Sequence, residues 1–221
     1  MAYLKRSNIP KFWPVHRKGT KYLSLVKHDK KTSIPLVVAM REILGLVGTK
    51  KELKTLINEK QILINQKKVK ETNYPLNLFD VLTLVNLKKN YRVFLSEHKK
   101  MIFKEISGKD AETRLFKIKG RKILSKNKVQ LNLMQGMNIL SEEKGKSGDS
   151  VLLDLKKRKI MKIIPMEKGK TALVIKGKHA GIVEKIDEIV ERGGKRIAVM
   201  RHEGEKVNVW TKNIVVSENG K

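Results

Sequence analysis

The stretch that decides the fold is TKKELKTLIN at residues 49–58, followed closely by ILIN at residues 62–65. Thr49 and Glu52 form a capping box, in which a hydroxyl and a carboxylate three residues apart satisfy free backbone N–H groups at a helix start. The apolar residues that recur at helical spacing behind this cap are Leu53, Leu56 and Ile57. Because β-branched and apolar residues then dominate 62–65, the sequence predicts a helix followed by a short strand.

A second amphipathic helix is predicted immediately before this stretch. Ser33 is a plausible N-cap, Pro35 lies in the predicted first turn, and Gly48 ends the pattern. The apolar residues at helical spacing are Leu36, Met40, Ile43, Leu44 and Val47. With the strands predicted at 61–65 and 79–84, the two helices indicate a compact α+β module.

The chain up to Lys31 is basic and lacks any regular apolar period. It contains nine Lys and Arg residues and one acid, Asp29, and Pro10 and Pro14 interrupt any helix. The sequence therefore predicts an extended arm, loosely held in the free protein, whose cations contact phosphates and whose Trp13 stacks on RNA bases. The alternative is a solvated basic tail, which has no need of Trp13.

Short β-like segments fill the rest of the chain. The first set is 91–95, 128–133, 150–155 and 159–163, with one short helix predicted near Asp110–Leu115. The second set is 171–175, 181–190, 196–201, 206–211 and 214–216. Brief strands separated by Gly-containing turns predict a small central sheet or barrel, followed by a small closed barrel at the C-terminal end.

The net charge points to a polyanionic partner. The 221 residues contain 50 Lys and Arg against 22 Asp and Glu, a formal charge of +28. A membrane surface is disfavoured, since no apolar run approaches about 20 residues and the first residues show no signal-peptide pattern. Cysteine is absent, which excludes disulfides and thiolate metal sites and makes the cytoplasm the expected compartment.

The residues that catalysis would need are not arranged as a site. The five His are scattered without metal-ligand spacing, and no P-loop, nucleophile elbow or HExxH motif occurs. Asp80 could serve as a nucleophile in an RNA-modifying enzyme, but its place at the border of a predicted strand favours hydrogen bonding to a turn. The sequence therefore predicts a binding protein that needs no cofactor and no metal.

Residues 49–58 with 62–65 resemble the RNA-binding domain named after bacterial ribosomal protein four. In that family the second helix and the turn after it meet RNA. The resemblance implies RNA contacts at Lys50, Lys51, Lys54, Lys60 and Gln61. The family pattern prefers Gly where this chain has Lys60 and Gln66, so both residues are expected in a backbone conformation that favours glycine.

Residues 173–183, LVIKGKHAGIV, resemble a KOW motif, a strand-loop-strand unit of small RNA-binding barrels, with Glu184 where a further Gly is usual. The order of segments along the whole chain resembles the e-type ribosomal protein four of archaea and eukaryotes, with the archaeal branch more similar. The segments that carry this resemblance are LKR at 4–6, PKFW at 10–13, SIPL at 33–36, FDV at 79–81, YRV at 91–93 and KVQLNL at 128–133.

Together these patterns predict an α+β, multi-domain fold. The expected parts are a basic N-terminal arm at 1–32, a helix-pair αL-type RNA-binding module at 33–87, a central small β domain at 88–165 and an SH3-like KOW barrel at 166–221.

The predicted function is that of a structural constituent of the small ribosomal subunit that binds 16S-type rRNA. The expected partners are small-subunit rRNA and neighbouring ribosomal proteins, with no membrane and no small-molecule substrate. The alternative is a free-standing RNA-modifying or transcription-associated factor. The predicted RNA-binding residues are Lys5, Arg6, Lys11, Trp13, Arg17, Lys18, Arg41, Lys50, Lys51, Lys54, Lys60, Gln61, Lys67, Lys68, Lys176, Lys178 and His179.

Overall fold

The computed structural model describes residues 3–124, 128–141 and 145–217. The chain is mostly β, with few helices, and it divides into two compact units. The first unit comprises Met1–Leu95 with Lys99–Glu112, and the second comprises Ser96–His98 with Thr113–Lys221. The multi-domain architecture agrees with the sequence, whereas the helical share is smaller than an α+β module predicts.

Among its described residues, the first unit contains nine strands, two short helices and two 3-10 turns, at Arg6–Asn8 and Asp110–Glu112. The strands are β1 (Tyr3–Lys5), β2 (Tyr22–Ser24), β3 (Ile34–Pro35), β4 (Ile62–Ile64), β5 (Lys67–Lys68), β6 (Pro75–Leu76), β7 (Val81–Leu84), β8 (Lys89–Leu95) and β9 (Met101–Ile106). The helices are α1, which joins Leu36–Val38 to a π-helical turn at Ala39–Ile43, and α2 (Lys50–Asn58). Strands β1 and β2 pair with each other, β3 pairs with β6, and the remaining five form a sheet in the order β5-β4-β7-β8-β9.

Within its described residues, the second unit contains two antiparallel five-stranded sheets. Its strands are β10 (Thr113–Ile123), β11 (Val129–Leu133), β12 (Asn138–Ser141), β13 (Ser150–Asp154), β14 (Ile160–Ile164), β15 (Thr171–Val174), β16 (Val183–Arg192), β17 (Lys195–His202), β18 (Glu205–Trp210) and β19 (Ile214–Val216). The sheet orders are β12-β11-β10-β13-β14 and β18-β17-β16-β15-β19. In the second sheet β15 pairs with both β16 and β19. The last strand of this sheet in sequence, β19, therefore lies beside its first, β15.

Helix α2 forms where the capping box predicts it. The Glu52 backbone N–H donates to the Thr49 hydroxyl oxygen at 3.2 Å. The Glu52 carboxylate accepts from the Gly48 N–H at 2.8 Å and from the Thr49 hydroxyl at 2.9 Å, and these bonds hold the pKa of Glu52 below its usual range. Leu53 and Ile57 are buried in the core of the first unit, as the helical spacing requires.

Helix α1 is shorter than predicted and begins differently. Ser33 does not cap it, because the Ser33 hydroxyl donates to the Asp29 carbonyl oxygen at 2.7 Å and Pro35 occupies the N-cap position. The helix ends in a π-helical turn, in which the Leu44 N–H donates to the Ala39 carbonyl oxygen at 2.9 Å. The apolar period that predicted a helix up to Val47 therefore continues beyond the helix itself.

Residues 3–32 do not form an extended arm, which corrects the prediction made from the charge of this segment. Trp13 is 1% exposed in the core of the first unit, and its indole N–H donates to the Ser33 carbonyl oxygen at 3.2 Å. Strand β9 fixes the same segment, since the Met101 N–H donates to the Phe12 carbonyl oxygen at 2.9 Å. The apolar contacts that hold this segment come from distant parts of the chain. They therefore produce no helical or strand period in its own sequence.

The predicted boundary between residues 87 and 88 lies inside one continuous sheet. Strand β8 pairs with β7, with Val81 opposite Arg92, and β9 pairs with β8. The strand expected at the start of a central domain therefore belongs to the first unit. The helix predicted near Asp110 is reduced to a 3-10 turn at Asp110–Glu112, because the apolar residues that follow it form β10.

A buried cation lies inside the second unit. Lys117 on β10 is 6% exposed, and its ammonium donates to the carbonyl oxygens of Thr211 and Ile214. Removal from water disfavours the charged form, so burial lowers the pKa of Lys117 to about 8. The two carbonyls compensate part of that cost and fix β10 against the chain segment that enters β19.

We predict that Trp13 is shielded from solvent in the free protein. The chain has two Trp residues, so Trp210→Phe leaves Trp13 as the only indole, and Trp13→Phe leaves Trp210, which is 51% exposed. Trp13 fluorescence should be blue-shifted and weakly quenched by acrylamide without RNA, whereas Trp210 should be red-shifted and readily quenched. Equal quenching of the two variants would instead support a loosely held N-terminal arm in the free protein.

We predict a pH dependence of stability that arises from Lys117. Because its folded pKa lies near 8 and an unfolded Lys titrates near 10.4, the unfolded chain binds more protons between these values, and stability rises with pH. From pH 7 to pH 10 the unfolding free energy of the wild type should rise by about 2.5 kcal/mol relative to Lys117→Met. Denaturant unfolding at both pH values measures this difference, and parallel pH profiles of the two proteins would contradict the prediction.

Candidate nucleic-acid interface

Helix α2 presents three exposed lysines outside its buried face. Lys50, Lys51 and Lys54 are all exposed, whereas Leu53 is 0% exposed. The cations share the first turns of one helix whose start is fixed by the capping box. They can therefore approach phosphates without rearrangement of the backbone.

The turn after α2 has the positive-φ backbone that the family's preference for Gly at this position predicts. Lys60 has φ of 61°, and the N–H groups of Lys60 and Gln61 donate to the Ile57 and Leu56 carbonyl oxygens, each at 3.0 Å. Lys60 is exposed. Gln61 is half-buried, and its amide donates to the Glu59 carboxylate at 3.1 Å, so it is less available to RNA than Lys60.

Strand β5, which follows the turn at Asn65 and Gln66, displays two further predicted residues, Lys67 and Lys68, both exposed. Asn65 and Gln66 have φ of 51° and 62°, and the Gln66 amide donates to the Ala111 carbonyl oxygen at 3.2 Å. Non-Gly residues in this conformation are strained, and the side-chain bonds of the turn offset that strain.

Asp80 is a structural carboxylate, as its position at the border of a strand predicts. It is 2% exposed, and its two oxygens accept from the Asn65 amide and from the Asn77 N–H, each at 2.6 Å. The Asn65 carboxamide oxygen in turn accepts from the Val81 N–H at 3.0 Å. This network connects the β4–β5 turn to the start of β7.

Arg6 is buried, which corrects its prediction as an RNA contact. Its guanidinium donates to the carbonyl oxygens of His16 and Thr20 at 2.6 and 2.7 Å and lies 3.6 Å from the Glu42 carboxylate. Gly19 packs so closely that an added Cβ would lie 2.8 Å from the guanidinium carbon. Arg6 thus shapes the loop between β1 and β2 instead of contacting a ligand.

The other predicted residues of the N-terminal segment divide into exposed and internal groups. Lys5, Lys11, Arg17 and Lys18 are exposed. Trp13 lies in the core and is unavailable for stacking on a base. Arg41 is half-buried and donates to the neighbouring Glu42 carboxylate at 2.8 Å, so part of its charge is already compensated.

The loop between β15 and β16 carries the KOW-like residues. Lys176 and Lys178 are exposed and His179 is half-buried. The Ile175 N–H donates to the Asn213 carbonyl oxygen at 2.7 Å, and Gly181, with φ of 99°, lies against the Ser96 carbonyl, where no Cβ would fit. Two backbone contacts thus fix the loop on which the two lysines stand.

Glu184 lies in β16 and not in a loop. Its carboxylate is 3.1 Å from the His202 Nδ1 of the neighbouring strand β17. A side chain in a strand needs no glycine, which explains why Glu is accommodated where the family pattern prefers Gly.

Two exposed tyrosines were absent from the predicted site residues. Tyr3 is 60% exposed and Tyr22 is 49% exposed, on paired strands β1 and β2. The alternation of Tyr3, Leu4 and Lys5 could have signalled them, because period two separates an outer face from an inner one. A three-residue strand inside a Pro-containing basic segment is too short for that signal to stand out.

Among the described residues, no group of three or more His, Asp or Glu side chains could hold a metal ion. None of the helices within residues 3–124, 128–141 and 145–217 is long and apolar enough to cross a membrane. The exposed lysines of α2, β5 and the loop between β15 and β16 suit phosphate oxygens.

Two family models match the chain. A model of the S4 domain matches residues 35–82, which include both helices of the first unit and strands β4 to β6. A model described as ribosomal family S4e matches residues 87–160, from the turn before β8 to the start of β14.

Curated relatives match over most of the chain. A small ribosomal subunit protein eS4 from Methanosphaera stadtmanae is 37% identical over 190 residues, which cover 85% of this chain and 79% of that protein. The eS4 protein from Nanoarchaeum equitans is 32% identical over 98% of this chain and 96% of its own length.

A solved structure has the same fold. The crystal structure of the 30S ribosomal protein S4e from Thermoplasma acidophilum superposes with a TM-score of 0.73 at 21% identity, covering 85% of this chain and 95% of that one. The sequence identities to the curated relatives, which extend across nearly the entire chain, place this protein in the eS4 family of small ribosomal subunit proteins.

Proposed function

We propose that this chain is a structural constituent of the small ribosomal subunit that binds 16S-type rRNA and stabilises its fold during assembly and translation. The observation that carries the proposal is the match to eS4 proteins, which extends over 98% of the chain in one relative. The sequence of a free-standing RNA-modifying or transcription-associated factor would match these proteins over one RNA-binding module only, and not along the rest of its length.

The first RNA contact of the proposal is an αL-type module centred on α2 and the turns around it. Its supporting features are the exposed cations Lys50, Lys51, Lys54 and Lys60 on a rigid helix and turn. Lys67 and Lys68 extend the basic surface along the same chain segment. The buried Asp80 network holds Asn65 in the turn that leads into Lys67 and Lys68.

The second contact is the KOW-like loop on an SH3-type barrel formed by strands β15 to β19. Support comes from the way β19 returns to pair with β15, and from the fixed loop that exposes Lys176 and Lys178. His179 is half-buried and contributes at the margin of the loop.

Membership of a ribosomal protein family implies a structural, non-enzymatic role. Asp80 agrees with that role, since both of its oxygens accept hydrogen bonds inside the first unit. The remaining partners in the proposal are neighbouring small-subunit proteins, and the location is the cytoplasmic ribosome.

Affinity in this proposal arises from phosphate neutralisation at several separate places. Exposed Lys and Arg side chains displace condensed counterions from RNA, which favours binding without reading sequence. Because the basic surfaces are joined on one chain, docking of one raises the effective concentration of the next. Shape and 2′-hydroxyl contacts supply the selectivity for a folded rRNA.

We predict that the double variant Lys50→Glu with Lys54→Glu weakens association with the small subunit by at least about tenfold. Each reversal removes a phosphate contact and adds repulsion on one helix face. Salt-washed sucrose-gradient sedimentation of cell extract measures the fraction of protein that migrates with the subunit.

The matched control is Lys156→Glu with Lys157→Glu, which changes the net charge equally. Both lysines are exposed in the turn after β13, outside the proposed contacts. The control should retain nearly wild-type association. Equal losses from the two double variants would show that net charge alone, and not the face of α2, drives binding.

We predict a steep dependence of rRNA affinity on salt. If about ten phosphates are neutralised, the slope of log affinity against log salt is about −7 to −9. Filter binding of the full chain to small-subunit rRNA between about 0.1 and 0.3 M salt gives this slope. A slope shallower than about −3 would limit the interface to a few phosphates and contradict multivalent docking.

A further inference from the structure

The outer face of the β1–β2 hairpin carries two exposed aromatic rings and a cation. The strands pair with Tyr3 opposite Ser24, Leu4 opposite Leu23 and Lys5 opposite Tyr22. Residues opposite each other share a face, and alternate residues of a strand face opposite ways. Tyr3, Lys5 and Tyr22 therefore lie on one face, and Leu4 and Leu23 on the other.

The inner face of the hairpin packs against the core of the first unit. Leu23 is 1% exposed in the core of the first unit, and Leu4 packs against the same core. The hairpin thus has a fixed orientation, and its tyrosines cannot be turned inward without losing that packing. The tyrosine rings lie on the surface because the leucines of the opposite face pack in the core.

The two rings are close enough to contact neighbouring nucleotides of one strand. Tyr3 and Tyr22 are diagonal neighbours on the shared face, a relation that separates Cα atoms by roughly 7–8 Å. An exposed tyrosine offers a flat apolar ring and a polar hydroxyl, which suits an interface with an aromatic ligand that is partly in water.

The surroundings of the rings are strongly cationic. Residues 3–28 contain no acid. The Lys21 ammonium lies 5.6 Å from the centre of the Tyr22 ring, and Lys5, Arg17 and Lys18 are exposed nearby in sequence. Lys27 is ion-paired with Glu71 at 2.7 Å and contributes less. A polyanion with exposed aromatic faces matches this combination of rings and positive charge.

We propose that this face, made of Tyr3, Lys5 and Tyr22 with Lys21 at its edge, binds unpaired RNA bases by stacking. The inference rests on the proposed rRNA-binding function and names the part of the RNA that this hairpin contacts. Duplex RNA keeps its base faces stacked on one another, whereas loops and bulges expose them. Stacking on Tyr tolerates any base, and the lysines contact the flanking phosphates.

The test uses the full chain with the double variant Tyr3→Ala and Tyr22→Ala. The probes are a fluorescently labelled 12-nucleotide single-stranded RNA and a 12-base-pair RNA duplex, compared by anisotropy at one salt concentration. The variant should bind the single strand at least about tenfold more weakly and the duplex within about twofold of wild type.

The matched control is Tyr3→Phe with Tyr22→Phe, which keeps the rings and should retain single-strand affinity. Both tyrosines lie at the surface, 60% and 49% exposed, so the variants should fold as wild type by circular dichroism. Equal losses on both probes, or no loss on either, would overturn the proposal. A variant that keeps single-strand affinity but leaves the subunit would assign this face to a neighbouring protein and also overturn it.

The same proteins separate this inference from the proposed function. Sedimentation of the wild type with the small subunit tests the ribosomal role. If the wild type sediments with the subunit while the tyrosine variant binds both RNA probes normally, only the stacking inference fails. If the wild type does not sediment with the subunit, the ribosomal role itself fails.

Discussion

The buried carboxylate of Asp80 is the constraint on which the first unit depends. Asp80 is 2% exposed and needs partners for every oxygen, because an unsatisfied charge away from water is strongly destabilising. The Asn65 amide and the Asn77 N–H supply them, and the Asp80 backbone oxygen accepts from the Val93 N–H at 3.0 Å. One residue thereby joins the β4–β5 turn, the entry to β7 and strand β8. Lys67 and Lys68, which follow that turn in β5, are therefore displayed by a framework that the carboxylate stabilises.

Positive charge has two separate roles in this chain. The exposed lysines of α2 and of the loops can neutralise phosphates. Arg6 and Lys117 are buried and donate to backbone carbonyl oxygens, so they stabilise the fold that displays the others. Arg6 illustrates the division clearly, since it fixes the loop from which Arg17 and Lys18 extend. Net charge alone therefore overstates the number of cations available to a ligand.

Aromatic residues divide in the same way. Trp13 fills the core and donates to a backbone oxygen, whereas Tyr3 and Tyr22 remain at the surface of the same segment. A basic segment with four aromatic residues suits RNA, but only those on the outer face of the hairpin can meet a base. The pairing register of two three-residue strands decides which residues those are.

The sequence by itself determined the start of α2, the short strands, the unusual backbone at Lys60 and Gln66, the structural role of Asp80 and the family. The start of α2 and the strands depend on local chemistry, a capping box and alternation, whereas the backbone at Lys60 and Gln66 and the family were implied by the resemblance of motifs along the chain to a known family. Only the tertiary structure decided that Trp13 and Arg6 are internal, that β8 and β9 complete the first sheet, and that Tyr3 faces outward. Each of these depends on partners far away in sequence, such as Met101 for the Phe12 backbone and Glu42 for Arg6. No local pattern of charge or hydrophobicity encodes such partners.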